Sequence, residues 1–442
     1  MTKMKASGID WIGEIPEEWG VTKFKYLFNT NKGLSITKEN LVEVGVPVIS
    51  YGQIHSKYGK FVDLEKDSLP FVSKSFLANT SALLQQGDFV FADTSEDIVG
   101  SGNFSTRLDD NGYLFAGYHT IKASLKKSEQ NDFRYFMHLF DSLLFRRQVQ
   151  SKVRGIKVFS ITQSILQNCD VLVPSLAEQK CIADYLDKKV AQLDKVKALL
   201  EEQIEMLQDY RQSLIYDTVT KGLDKTVPMK DSGVDWIGEI PEGWEVKRLK
   251  YVLQTPLQYG ANATGDNYDE TLPRYIRITD IDSNGNLKDT GRQSLNEREA
   301  FPYILKDGDV LFARSGATVG KTFLYRETYG KSAFAGYLIK AEVNQKMILP
   351  EYLVYYTQSY LFDIWKEQSF IQSTIQNIGA DKYNNLQIVL CSITEQAEII
   401  EYLNNKVSKI NQMIAIKQEQ IENINQQRQT LIYDVVTGKK RI

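Results

Sequence analysis

The sequence predicts an α+β fold written twice: two globular blocks in pseudo-two-fold arrangement, separated by two long antiparallel coiled-coil helices. Three observations predict it. The stretch "DWIGEIPEEW" at 10–19 returns as "DWIGEIPEGW" at 235–244, and 16 of 24 positions are identical between 4–27 and 229–252. Residues 178–222 match 395–439 at 20 of 45 positions, over a heptad pattern. Between these anchors the halves diverge, although "QGDFVFAD" answers "DGDVLFAR" and "FAGY" answers "FAGY" in the same order. Like ends around unlike middles mean one scaffold carrying two different surfaces.

The chain divides into a first globular block at 1–175, a helix at 176–222, a second block at 223–392 and a second helix at 393–442. In the blocks, "VPVIS", "DFVFA", "YIRITDI", "DVLFA" and "TFLY" are β-like runs bounded by Gly, Asn and Asp. A helix is expected over 132–149 and its counterpart over 350–368. In the first long helix Leu186, Leu193, Leu200, Leu207 and Leu214 recur every seventh residue, and in the second Leu403, Ile410, Ile424 and Leu431 hold the same register, with Lys417 between them. Such spacing is a coiled-coil seam, and a block between the helices makes the pair antiparallel. Arg211 and Arg428 fall in companion seam positions. Gly222, followed by Pro228, ends the first helix and Gly438 ends the second. Trp11, Trp19, Trp236 and Trp244 of the repeated stretch are expected to dock block on coil, with stacking on a nucleic base as the other reading. A second repeat would begin where "TGKKRI" stops, so the two chain ends are expected to lie together.

Composition narrows the function classes. With 42% hydrophobic residues, 25% charged and a net charge of −3, the chain suits a globular protein and not a histone-like polyanion binder. A local basic surface can still hold nucleic acid. Three Cys and three His stand apart with no metal-ligand spacing, so no metal is expected. No run approaches the ~18 apolar residues of a membrane span, and a cytoplasmic protein is expected. "SGATVGKT" at 315–322 resembles a phosphate loop but encloses three residues between its glycines where four are needed. A tight hairpin bringing backbone amides and Lys321 to an anion is the better expectation. No nucleophile elbow or zinc-binding helix motif occurs, and the chain is expected not to be an enzyme by itself. Between Ser142 and Asn168 stand Arg146, Arg147, Lys152, Arg154 and Lys157 with no acid, a pattern suited to phosphate contacts.

The doubled "WIGEIPE", "GDVLFARSGATVGKTFL", "PSLAEQKCIADYLDKKVAQLD" and "LIYDVVTGK" together resemble the specificity subunit of type I restriction–modification enzymes, over essentially the whole chain. The resemblance implies that each block is a target-recognition domain reading half of a bipartite double-stranded DNA site. It implies that the coil sets the spacer and docks two modification subunits. It further implies that S-adenosylmethionine, ATP and Mg2+ belong to modification and restriction partners, with no cofactor on this chain. Carried over by position, the DNA face of block one includes Tyr51 and Gln53 in a strand "ISYGQI", Ser95, and the basic run Arg146, Arg147, Lys152, Arg154 and Lys157. In block two it includes Arg277 and Thr279 in "IRITDI", Arg314, Ser315, Lys321, Gln372 and Gln376. Block one departs from the pattern in having Asp93, Glu96 and Asp97 where block two has Arg314 and neutral residues. The alternatives are a scaffold whose two variable blocks hold protein partners, and an enzyme using the 316–322 loop on a nucleotide.

Overall fold

The computed structural model describes residues 3–9, 12–155, 157–282, 285–370 and 377–442. It forms two compact units: Met1–Leu200 with Glu419–Ile442, and Glu201–Gln418. The long helices, Leu176–Lys221 and Ile393–Val436, therefore do not stand apart as segments of their own. Each lends one part to each unit.

In the first unit a five-stranded sheet runs in the order Phe28–Lys32, Thr120–Leu125, Phe89–Ala92, Phe104–Arg107, Phe61–Val62. A four-stranded sheet holds Val46–Ile49 between Phe115–Ala116 and Phe71–Val72, with Leu41–Val42 at its edge. In the second unit Val310–Ala313 lies between Leu338–Ala341 and Thr322–Leu324, with Gln258–Tyr259 at the edge. Arg274–Ile276 lies in another four-stranded sheet beside Ser332–Phe334. Each central strand is buried along its whole length, which is why "DFVFA" and "DVLFA" read as unbroken apolar runs.

The helix expected over 132–149 is two, Phe133–Asp141 and Leu143–Gln150, and its counterpart is Pro350–Thr357 followed by Tyr360–Phe370. A buried serine sits at each break. Ser142 Oγ donates to Leu139 O and accepts from Phe145 N, and Ser359 Oγ donates to Tyr356 O. These hydroxyls take the place of the ladder bond and let the chain turn. Two of the expected strands are cut short: Tyr51–Ser56 is helical, and the strand at "IRITDI" ends at Ile276. In both, a side chain three residues on caps the backbone, Gln53 accepting from Ser50 N and Asp280 from Arg277 N, each at 2.8 Å. Capping boxes of this kind start helical turns.

Along the long helices the heptad positions are the least exposed. Leu186, Leu403 and Ile410 are buried, and Leu193, Leu200, Leu207, Leu214, Ile424 and Leu431 are half-buried among mostly exposed neighbours. Within the first unit Glu178 pairs with Arg441 and Asp194 with Arg428, so the partners run antiparallel. Within the second, Lys417 donates to Gln203 and Arg211 to Asn411, again antiparallel. The repeated tryptophan stretch seals these helix ends. Trp19 is buried beside Gly438, whose left-handed φ of +72° ends the second helix. Trp244 is buried beside Gly222, at φ +70°. A Cβ at either glycine would meet the indole within 3.0–3.3 Å. Trp236 is half-buried against the second core, and Trp11 lies outside the described residues. Arg441 also pairs with Glu18, which ties the C-terminal residues to the first copy of the repeated stretch.

Candidate nucleic-acid interface

In each unit the central strand runs out at one end into a small polar station. In the first, the strand continues from Ala92 into Asp93, whose backbone N–H donates to His119 O (3.0 Å) and whose carbonyl accepts from Ile161 N (2.7 Å). The strand Phe159–Ser160 lies here, pairing Ser160 with Thr94 and Phe159 with Ser95, and Arg154 bridges to Ser160. In the second unit Arg314 occupies the same place. Its N–H donates to Tyr337 O (3.0 Å), its carbonyl accepts from Ile378 N (2.8 Å), and Ser315 bridges to Asn377.

The side chains at the two stations differ. Asp93 Oδ1 lies 2.8 Å from His119 Nδ1 and accepts from Thr94 Oγ1 at 2.8 Å. His119 is exposed, with Tyr118 at 4.0 Å and Tyr51 at 5.5 Å between ring centroids. Beneath it His55 Nε2 contacts Thr94 O at 2.8 Å, Asn103 donates to His55 Nδ1 at 3.0 Å, and Arg146 donates to Asn103. In the second unit the Arg314 guanidinium lies 4.8 Å over the Tyr259 ring and donates to Asn377 Oδ1 (3.4 Å). Tyr259 is fixed through its hydroxyl, which accepts from Ala380 N at 2.9 Å. Tyr337 is exposed, as Tyr118 is.

These stations gather Tyr51, Arg154, Lys157, Arg314 and Ser315 of the expected DNA-facing residues, with Arg154 and Lys157 exposed on the returning segment. Others are placed differently. Ser95 is buried, Gln53 is a cap, and Arg146 is spent on Asn103 and the buried Asp141. Arg147 and Lys152 are exposed on the helix before that segment and the turn after it, Lys152 donating to Asn168 O. Arg277 is engaged by Asp280 and Gly291 O, while Thr279 is exposed beside it. Gln372 and Gln376 lie outside the described residues. Lys321 is exposed and lines a cleft of about 520 Å³ with Arg211, Gln212, Asp363 and Lys366. Three amides of the glycine loop are taken by backbone carbonyls. Val319 N donates to Gly316 O, Gly320 N to Ala313 O and Lys321 N to Thr318 O, so these three are not open to an anion. His119, Tyr118, Tyr259, Tyr337 and Asn377 escaped sequence reasoning; the repeated "FAGY" was the one available signal.

Among the described residues no helix is long and apolar enough to cross a membrane. A domain described as "Type I restriction modification DNA specificity domain" matches residues 16–206 and again 241–426. The chain is 24% identical over 426 residues to the type I restriction enzyme StySPI specificity subunit of Salmonella potsdam, covering 91% of this chain and 88% of that one. It is 25% identical over 378 residues to the EcoBI specificity subunit of Escherichia coli, covering 79% and 78%. Its fold is similar to a chain of a solved type I R-M system, with TM-score 0.67 and 18% identity over 96% of this chain and 99% of that one. With two copies of that domain spanning most of its length, the chain belongs to the type I restriction–modification DNA specificity family.

Proposed function

We propose that this chain reads a bipartite double-stranded DNA site on behalf of a type I restriction–modification complex, one half through each block. The observation that carries the reading is the pair of stations: one backbone frame, used twice, presenting an acid-held imidazole in one unit and a guanidinium in the other. A scaffold that holds its frame and varies its polar tip suits base reading, where donor and acceptor pattern decides the match. Arg154 and Lys157 beside the first station suit the phosphate contacts that position a duplex without reading it. The coil sets the spacer between half-sites. In the second unit Met206 and Tyr210 on one long helix, and Met413 and Ile416 on the other, are exposed apolar residues at helical spacing. They suit docking of a modification subunit, one of two in the complex. Methyl transfer from S-adenosylmethionine belongs to those subunits, and ATP-driven cleavage with Mg2+ to restriction subunits.

The test is to map methylated adenines genome-wide in cells with and without this gene. The expected result is a two-part motif of fixed spacer that vanishes with the gene. An unchanged methylation map, with protein partners retained, would favour a protein-binding scaffold instead.

A further inference from the structure

The geometry points to one specificity-determining group per half-site, placed at the equivalent station of each block: His119 oriented by Asp93 in block one, and Arg314 over Tyr259 in block two. This rests on the reading of the chain as a DNA-specificity subunit and says which chemistry each half-site must offer.

In block one, Asp93 accepts from His119 Nδ1–H, which leaves the lone pair of the neutral ring on Nε2. Nε2 makes no hydrogen bond among the described residues, and the ring is exposed between Tyr118 and Tyr51. His119 also sits at φ +52°, the one non-glycine among the described residues with positive φ. A residue held in that region is over-determined by its surroundings, and such strain gathers at working sites. Three groups hold it here: the Asp93 carboxylate, the backbone bond from Asp93 N, and the Thr94 hydroxyl that shares the carboxylate. An outward acceptor matches an exocyclic amine in the major groove, that of cytosine or adenine. In block two the guanidinium carries donors only. It lies over the Tyr259 ring and is steadied through Nε by Asn377, so its terminal nitrogens match the two acceptors of guanine. Asp93 and Arg314 stand at the same point of the frame, the N–H of one bonded to His119 just after "FAGY" and that of the other to Tyr337 at its end, so the exchange of acid for base changes the letter and leaves the scaffold alone.

The experiment uses the full chain assembled with its modification subunits, selecting bound sequences from a duplex pool randomised over both half-sites. His119→Ala is expected to reduce discrimination at one base pair of one half-site from roughly tenfold or more to under about twofold, leaving the other half-site intact. Arg314→Gln is expected to do the same at one position of the other half-site. His119→Asn, which tolerates the left-handed backbone, serves as the second block-one variant should the alanine chain fail to assemble. Unchanged base preferences in these variants would overturn the assignment, as would a loss of affinity uniform over all sequences, which marks phosphate contacts. Absence of any base preference in the unaltered complex would overturn both the assignment and the reading beneath it.

Discussion

At the scale of single residues, the two copies explain each other. Gln179 and Gln396, both buried, do the same work at the start of the long helices. Gln179 accepts from Asp132 N and donates to Pro174 O; Gln396 accepts from Leu349 N and donates to Met347 O and Cys391 O. Each ties strand exit, helix start and the neighbouring helix entry together. Replacing either by Ala strands several buried groups and is expected to cost about 2–3 kcal/mol, read by urea unfolding. Tyr135 and Tyr352, fully buried, likewise donate to Leu172 O and Val389 O. The tryptophans differ. Trp244 Nε1 donates to Glu395 at 3.1 Å, whereas Trp19 Nε1 is buried with no partner among the described residues, because Arg441 has engaged Glu178. Trp→Phe at 244 is therefore expected to cost about 1–2 kcal/mol more than at 19, since only there is a bond lost with the same change of volume.

At the scale of elements, the seam arginine of each unit meets a different kind of partner. In the first, the buried Asp141 meets Lys60 at 2.6 Å and Arg428 at 3.0 Å, and Arg428 reaches Asp194 at 3.0 Å. In the second, the matching seam arginine, Arg211, meets a neutral Asn411 at 2.7 Å. Arg428→Ala leaves a buried carboxylate short of a partner and is expected to cost about 3 kcal/mol. Arg211→Ala is expected to cost about 1 kcal/mol, the two compared by thermal melting. The joints also differ in their response to acid. His138 Nε2 contacts Asp187 at 2.7 Å, where the second unit has Tyr355 donating to Asn404. Burial holds the His138 imidazole below its ordinary range, against the hydrogen bond it donates to Asp187 and with Lys60 nearby. An unfolded histidine titrates near ~6.5, so the neutral ring contributes stability above that pH and loses it as pH falls toward the folded value. For Asp141 burial opposes ionisation, yet Lys60 and Arg428 outweigh it and hold the carboxyl low, so its contribution is lost only in stronger acid. Hydrogen exchange between pH 7 and 5.5 is expected to show block one loosening before block two. The double variant His138→Tyr, Asp187→Asn is expected to remove the difference.

At the scale of the whole molecule, the duplicated frame makes its parts separable. Exchanging residues 28–175 for those of a relative with another specificity is expected to change one half of the methylated motif and leave the other. Retention of both halves would refute block one as a reader. Inserting seven residues after Lys197 keeps the seam in phase and adds about 10 Å of helix. The expected outcome is a longer spacer or loss of methylation, with neither half-site sequence altered, read from the same methylation maps.

The duplication, the heptad seam, the glycine stops and the buried central strands are all legible in the amino-acid order. Each of these is a local or periodic pattern, and burial imposes its period wherever it acts. The tertiary structure alone decided which polar residues are free to meet a ligand. Arg146 and Arg277 look available in sequence and are spent on Asn103 and Asp280, while His119 looks incidental and stands exposed on Asp93. Such assignments depend on partners from 3 to 43 residues away in the chain, and no local period records them. The same holds for the glycine loop at 316–322: its residues suit an anion, but the amides of Val319, Gly320 and Lys321 are taken by the carbonyls of Gly316, Ala313 and Thr318, and only the folded backbone says so.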